Sequence, residues 1–233
     1  MSLPKIELPI LELDLPSTGE KIKYRPFTVK EEKILLVAQE SNEPEQELLA
    51  VKQVVNNCLI DIEVSDLAMF DLEYILLVLR SKSVDNIIEF QITDPETEKQ
   101  VRLTLDIENV SLTKPEEGLQ KVKINDEYTL VLKYPTIDEY AKILTMDSGD
   151  PLINYILMVS CLDKIVSEDE VHNFKEYSDE DIYAFVDNLS ADVIKGIEKF
   201  FENIPKLRHE MSYVNENGDE KTFVVEGMRS FFT

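Results

Sequence analysis

The chain has 233 residues, 43% hydrophobic and 30% charged, with a formal net charge of -23 at pH 7. The apolar share suffices for a packed core in one large or two small domains and excludes wholesale disorder. The acidic excess argues against nucleic acid, which needs Lys and Arg to neutralise phosphates, and against anionic lipid surfaces. A basic protein partner is the natural complement, and the same charge keeps the chain soluble.

The elements follow in chain order. Ile6, Leu8 and Ile10, then Leu11, Leu13 and Leu15, alternate with polar residues and Pro9, and Ile22, Tyr24 and Phe27 alternate after a Ser17-Thr18-Gly19-Glu20 turn. This predicts an N-terminal β-hairpin. Thr28 with Glu31 forms a capping box ahead of Ile34, Leu35, Val37 and Ala38 at helical spacing. Pro44 opens a second helix with Leu48, Leu49, Val51, Val54, Val55 and Leu59 on its apolar face, and Asp66 a third through Leu67, Phe70, Ile75, Leu76 and Leu79. Three helices with short connections predict a small bundle.

Residues 87–93 and 101–107 read as strands joined across Asp94-Pro95-Glu96-Thr97, and 122–124 with 128–132 as another hairpin around Asn125-Asp126-Glu127. Thr136, paired with Glu139, starts a helix, and Asp150-Pro151 starts the next, carrying Ile153, Ile156, Leu157 and Cys161. Ser178 and Ser190 cap two more, and Pro205 ends the run. A last hairpin, 211–214 with 222–225, carries Asn217-Gly218, the signal of a two-residue type I′ turn. Hairpins and helices in blocks, without strand–helix alternation, indicate an α+β fold with several β-hairpins and no doubly wound parallel sheet. The loop Lys114-Pro115-Glu116-Glu117-Gly118 is the expected boundary between a domain of residues 1–113 and one of 119–233.

Chemistry is sparse. Six glycines are scattered along the chain, and no dinucleotide, Walker or nucleophile-elbow motif is present. His172 lies in an acidic run, Glu168-Asp169-Glu170-Val171-His172, which reads as a solvated face, and His209 reads as a packing residue. The carboxylate runs lack the spacing of a calcium loop, and several sit at helix starts, where acids complement the dipole. A small acidic metal-dependent hydrolase is the alternative class. Cys58 and Cys161, each among apolar neighbours, read as buried free thiols in a reducing cytoplasm, with pairing left open. No basic stretch followed by an apolar one marks a signal peptide, and the most apolar segment, 152–162, is too short to cross a membrane. The terminal Met228-Arg229-Ser230-Phe231-Phe232 is an apolar cluster that either folds back onto its domain or docks into a partner. Edge strands of the terminal hairpins offer docking by strand addition.

Several segments together resemble the T4-type phage baseplate hub family. They are Leu15-Pro16-Ser17-Thr18-Gly19, Tyr24-Arg25-Pro26-Phe27, Lys52 through Cys58, Asp71-Leu72-Glu73-Tyr74, Leu79 through Val84, Lys206-Leu207-Arg208-His209-Glu210, and Glu226-Gly227 with Phe231-Phe232. The resemblance implies a non-enzymatic hub subunit or hub-assembly protein, working in the host cytoplasm or the virion tail through contacts with other baseplate hub or tail proteins. Some relatives carry cysteine pairs in the hairpin after Val84, resembling a zinc ribbon. Here that hairpin has none, so no metal or cofactor is implied. Candidate partner-binding residues are Met228, Phe231, Phe232, Tyr24 and Phe27. Self-association is not legible in the sequence.

Overall fold

The computed structural model describes residues 7–41, 43–84, 86–144, 146, 150, 152–227 and 230. The fold is α+β, with small antiparallel sheets and helices. The chain divides into two compact units, one made of Met1–Thr113 and Lys206–Thr233, the other of Lys114–Pro205.

The first unit opens with β1 (Leu11–Asp14) antiparallel to β2 (Lys21–Tyr24), in register Leu13↔Ile22. Leu13, Leu15, Ile22 and Tyr24 are the buried half of the alternation. Gly19, at φ 72, lets the turn close with its N–H donating to the Leu15 carbonyl at 2.7 Å. The helices α1 (Val29–Ser41) and α2 (Pro44–Cys58) follow, the second with proline in its first turn, where no N–H is missed. Immediately after α2, β3 (Leu59–Ile60) joins β2 as a third strand. A 3₁₀ turn, Val64–Asp66, precedes α3 (Met69–Ser83). The third helix thus starts beyond Asp66, with Ala68 as its N-cap. Val54, Val55 and Cys58 of α2 and Leu72, Ile75, Leu76 and Leu79 of α3 are buried.

The hairpin of β4 (Ile87–Thr93) and β5 (Gln100–Asp106) pairs over its whole length, from Ile87↔Asp106 to Thr93↔Gln100. A short β6 (Ser111–Leu112) ends this part of the unit.

The second unit is built on a sheet ordered β10-β9-β8-β7, from β7 (Lys121–Lys123), β8 (Thr129–Leu132), β9 (Leu162–Val166) and β10 (Val171–Asn173). Its helices are α4 (Ile137–Leu144), α5 (Ile153–Ser160), α6 (Asp179–Asp187) and α7 (Ala191–Glu202). The core joins Leu130, Leu132, Cys161, Leu162, Phe174, Val186, Val193, Ile197 and Phe200. Ser178 and Ser190 cap α6 and α7, accepting from the Asp181 and Val193 N–H groups. The β9–β10 hairpin was not legible. Its acidic turn reads as a solvated face, and β9 is short and follows the apolar α5 after a single residue.

The chain then returns to the first unit with β11 (Leu207–Val214) and β12 (Glu220–Glu226), in a sheet ordered β12-β11-β6. The C-terminal hairpin groups with the first unit. The reason is burial and pairing. Leu207 pairs with Leu112, and Leu207, Met211 and Val225 share one core with Leu77, Ile88, Leu103 and Leu105. The turn also differs from the two-residue type I′ form. Val214 pairs with Glu220, so five residues connect the strands, and only Gly218, at φ 88, is left-handed there. Asn215, buried, accepts the Asn217 and Asp219 N–H groups on its side-chain oxygen, each at 3.0 Å, and this organises the longer loop.

Candidate partner-binding surfaces

Tyr24 and Phe27 are core residues, 3% and 9% exposed, and offer a partner little surface. Their segment is instead a clamp inside the first unit. Arg25 places one guanidinium nitrogen 3.1 Å from Glu31 Oε1 and donates from another to the Pro26 carbonyl at 3.0 Å. The other Glu31 oxygen accepts the Thr28 N–H at 2.9 Å and the Thr28 hydroxyl, the return half of the capping box. Thr28 Oγ1 accepts from Lys30 at 3.3 Å. Burial alone would raise the Glu31 pKa, but the Thr28 hydroxyl, Arg25 and the Thr28 N–H outweigh it and hold the carboxyl at about 2. Phe27 donates its N–H to Ser83 Oγ at 2.9 Å, fixing the clamp to the end of α3.

A second tie secures the hairpin turn. Ser17 donates its N–H, at 3.0 Å, and its hydroxyl to the two oxygens of Asp71, a fully buried residue in the first turn of α3. Burial dominates here and raises the Asp71 pKa against the donors from Ser17 and Ala68. Much of the family-like sequence near the N-terminus is thus internal bracing.

The exposed apolar surface lies elsewhere. Glu31, Ile34, Leu35 and Ala38 form the inward stripe of α1, whereas Val29, Leu36 and Val37 are 64%, 53% and 69% exposed on the opposite side. Lys33 and Glu40 share that outward side. Val37 therefore leaves the apolar face that spacing assigned to it. The signal was present: apolar residues on both sides of one helix are more than a single core contact uses. Leu49 of α2 is exposed as well. Met228, Phe231 and Phe232 lie outside the described residues.

Burial pushes the Cys58 thiol up to about 11 and the Cys161 thiol to about 12, so neither supplies a thiolate nucleophile at neutral pH. Both are free. His172 lies on β10, with Nδ1 2.8 Å from the Tyr177 hydroxyl and Nε2 3.2 Å from Glu170. His209 Nδ1 lies 3.2 Å from the Asn109 carbonyl. Among the described residues, no group of three or more His, Cys, Asp and Glu side chains could hold a metal ion. No helix among them is long and apolar enough to cross a membrane.

No curated protein and no solved structure shows significant similarity to the chain. The sequence model described as T4 bacteriophage base plate protein matches residues 8–233, nearly the full length and both units. The chain accordingly belongs to the T4 bacteriophage base plate protein family.

Proposed function

We propose that the protein is a non-enzymatic subunit or assembly factor of the baseplate hub, acting through protein–protein contacts while a contractile tail is built. The observation that carries this reading is the family match across residues 8–233. The outward face of α1 supports it, because Val29, Leu36 and Val37 leave apolar area in water that an interface would cover. The proposal adds the terminal Met228, Phe231 and Phe232 to the contact surface. The partners are other baseplate hub or tail proteins, met in the host cytoplasm during assembly. The acidic surface suits basic faces of those neighbours, either as a permanent fit or as a temporary shield.

Quantitative peptide mass spectrometry on purified virions beside infected-cell lysate tests it. A fixed ratio to known tail proteins in virions marks a structural hub subunit. Abundance in lysate with absence from virions marks an assembly factor. Normal hub and baseplate assembly after deletion of the coding sequence would overturn both forms.

A further inference from the structure

Helix α1 turns a stripe of mixed character to water. Val29, Lys33, Leu36, Val37 and Glu40 are all exposed on it. They recur at i, i+4, i+7, i+8 and i+11, the spacing of a single helix face. Neither the Lys33 nor the Glu40 side chain pairs with another described residue. The two charges stand roughly 10 Å apart along the helix axis, too far to meet each other.

The order of these residues is self-complementary. The midpoint between Lys33 and Glu40 falls between Leu36 and Val37. A two-fold axis through that point, perpendicular to the helix, sets a second α1 antiparallel to the first. Lys33 of each copy then stands level with Glu40 of the other, and Leu36 of each level with Val37 of the other. Two ion pairs thus flank an apolar centre. Other occupants answer this face less fully. A basic partner would set its charge against Lys33, within the stripe itself. A wholly apolar helix would desolvate Lys33 and Glu40 without pairing them.

We propose that α1 packs antiparallel against α1 of a second copy of this chain. The inference rests on the protein–protein reading and names the occupant of that face. The contact is one helix of about 20 Å on each side, small beside a standard interface, so the dimer is weak and depends on concentration. The net charge of -23 on each copy repels at longer range. Salt screens that repulsion more than it screens the close, partly covered pairs. The dimer therefore tightens as salt rises, whereas an acidic face holding a basic partner loosens.

The test is sedimentation equilibrium of the full chain over a range of protein and salt concentrations, with reductant present so that no disulfide joins two copies. The expected result is a monomer–dimer equilibrium that shifts toward dimer with salt and is lost in Leu36→Asp. Lys33→Glu and Glu40→Lys should each weaken the dimer at least about tenfold, because like charges then face each other. A one-to-one mixture of those two single variants should regain association, since one chain carries two acids on the stripe and the other two bases. A chain that stays monomeric under every condition overturns the proposal. So does association that survives both Leu36→Asp and the single charge reversals, or a mixture that stays as weak as its components. The measurement contains no other phage protein, so its failure leaves the hub reading standing. Normal baseplate assembly without the protein would remove the hub reading and leave the dimer measurement interpretable.

Discussion

The Tyr213 hydroxyl donates to Asp94 Oδ2 at 2.8 Å, joining positions 119 residues apart in sequence. Asp94 closes the β4–β5 turn and is fully buried. Its other oxygen accepts the Glu96 and Thr97 N–H groups and the Thr97 hydroxyl. Burial would raise its pKa, but the Thr97 N–H, the Tyr213 hydroxyl and the remaining donors hold it at about 2. Lys221 reinforces the junction by pairing with Glu96. Tyr213→Phe keeps the ring and removes one donor. The expected result is a thermal midpoint lower by about 3 °C and an Asp94 titration moved upward, read by calorimetry and carboxyl-carbon NMR.

The three buried carboxyls set an acid response with opposing signs. Glu31 and Asp94 titrate near 2 when folded, below their ordinary values. Their stabilisation is complete above the unfolded carboxylate range, about pH 4 to 5, and is lost as pH falls toward 2. Asp71 is raised, so its contribution is full below its unfolded pKa and is lost as pH rises through the folded value. Urea midpoints of the native chain should therefore fall steeply between about pH 4.5 and 2. The Asp71→Asn variant should gain relative to the native chain on going from pH 4 to 7. A constant difference across that interval would contradict the sign assigned to Asp71.

The Arg25–Glu31 pair is partly open on the arginine side and closed on the glutamate side. Glu31→Gln leaves the guanidinium without its counter-charge and should cost about 2 kcal/mol in urea unfolding. Arg25→Lys should recover only part of the cost of Arg25→Ala, since an ammonium cannot reach both the Glu31 carboxylate and the Pro26 carbonyl with a planar fork.

In α7, Gly196 faces Val122. A Cβ at Gly196 would lie 2.7 Å from Val122 Cγ1 and 3.2 Å from Cγ2. In an open helix, glycine to alanine gains about 1 kcal/mol. Here overpacking opposes that gain with about 1–3 kcal/mol, so Gly196→Ala should be net destabilising. Adding Val122→Ala should return most of the loss. Thermal melts of the single and double variants decide between the two terms.

Leu36→Asp with Val37→Asp changes only exposed positions and should leave unfolding free energy within about 0.5 kcal/mol. If the α1 face is a contact in the tail, the same variant should fail to restore baseplate assembly in infected cells lacking the native protein. Full restoration would remove that face from the interface.

Local chemistry made the helices and several hairpins legible. The Thr136–Glu139 box forms in both directions, the Thr136 N–H donating to Glu139 at 2.8 Å and the Glu139 N–H to Thr136 Oγ1 at 3.3 Å, and the Thr28–Glu31 box forms through its return half. What escaped were features set by distant partners. Ser17 looks like plain turn chemistry until Asp71 is placed against it, and Asn217-Gly218 looks sufficient for a tight turn until Asn215 is found organising five residues. The return of β11 to β6 depends on Leu207 burying beside residues a hundred positions earlier, which no local pattern encodes. Of the surface candidates, Tyr24 and Phe27 belong to the Tyr24-Arg25-Pro26-Phe27 segment of the family resemblance. Their burial follows from β2 being the middle strand of its sheet and from the Phe27 N–H being tied to α3.

The pairing of β6 with β11 also orders events during synthesis. The Thr113 N–H donates to the Lys206 carbonyl at 2.9 Å, and the Lys206 N–H returns to the Thr113 hydroxyl at 3.0 Å. These bonds cannot form until Lys114–Pro205 has left the ribosome, an interval of roughly 5–20 s at ordinary elongation rates. During that wait Leu77, Ile88, Leu103 and Leu105 lack Leu207, Met211 and Val225 as neighbours. The nascent chain therefore passes through a stage with an open apolar face on its older half, and translation itself sets how long that face must be kept from other chains.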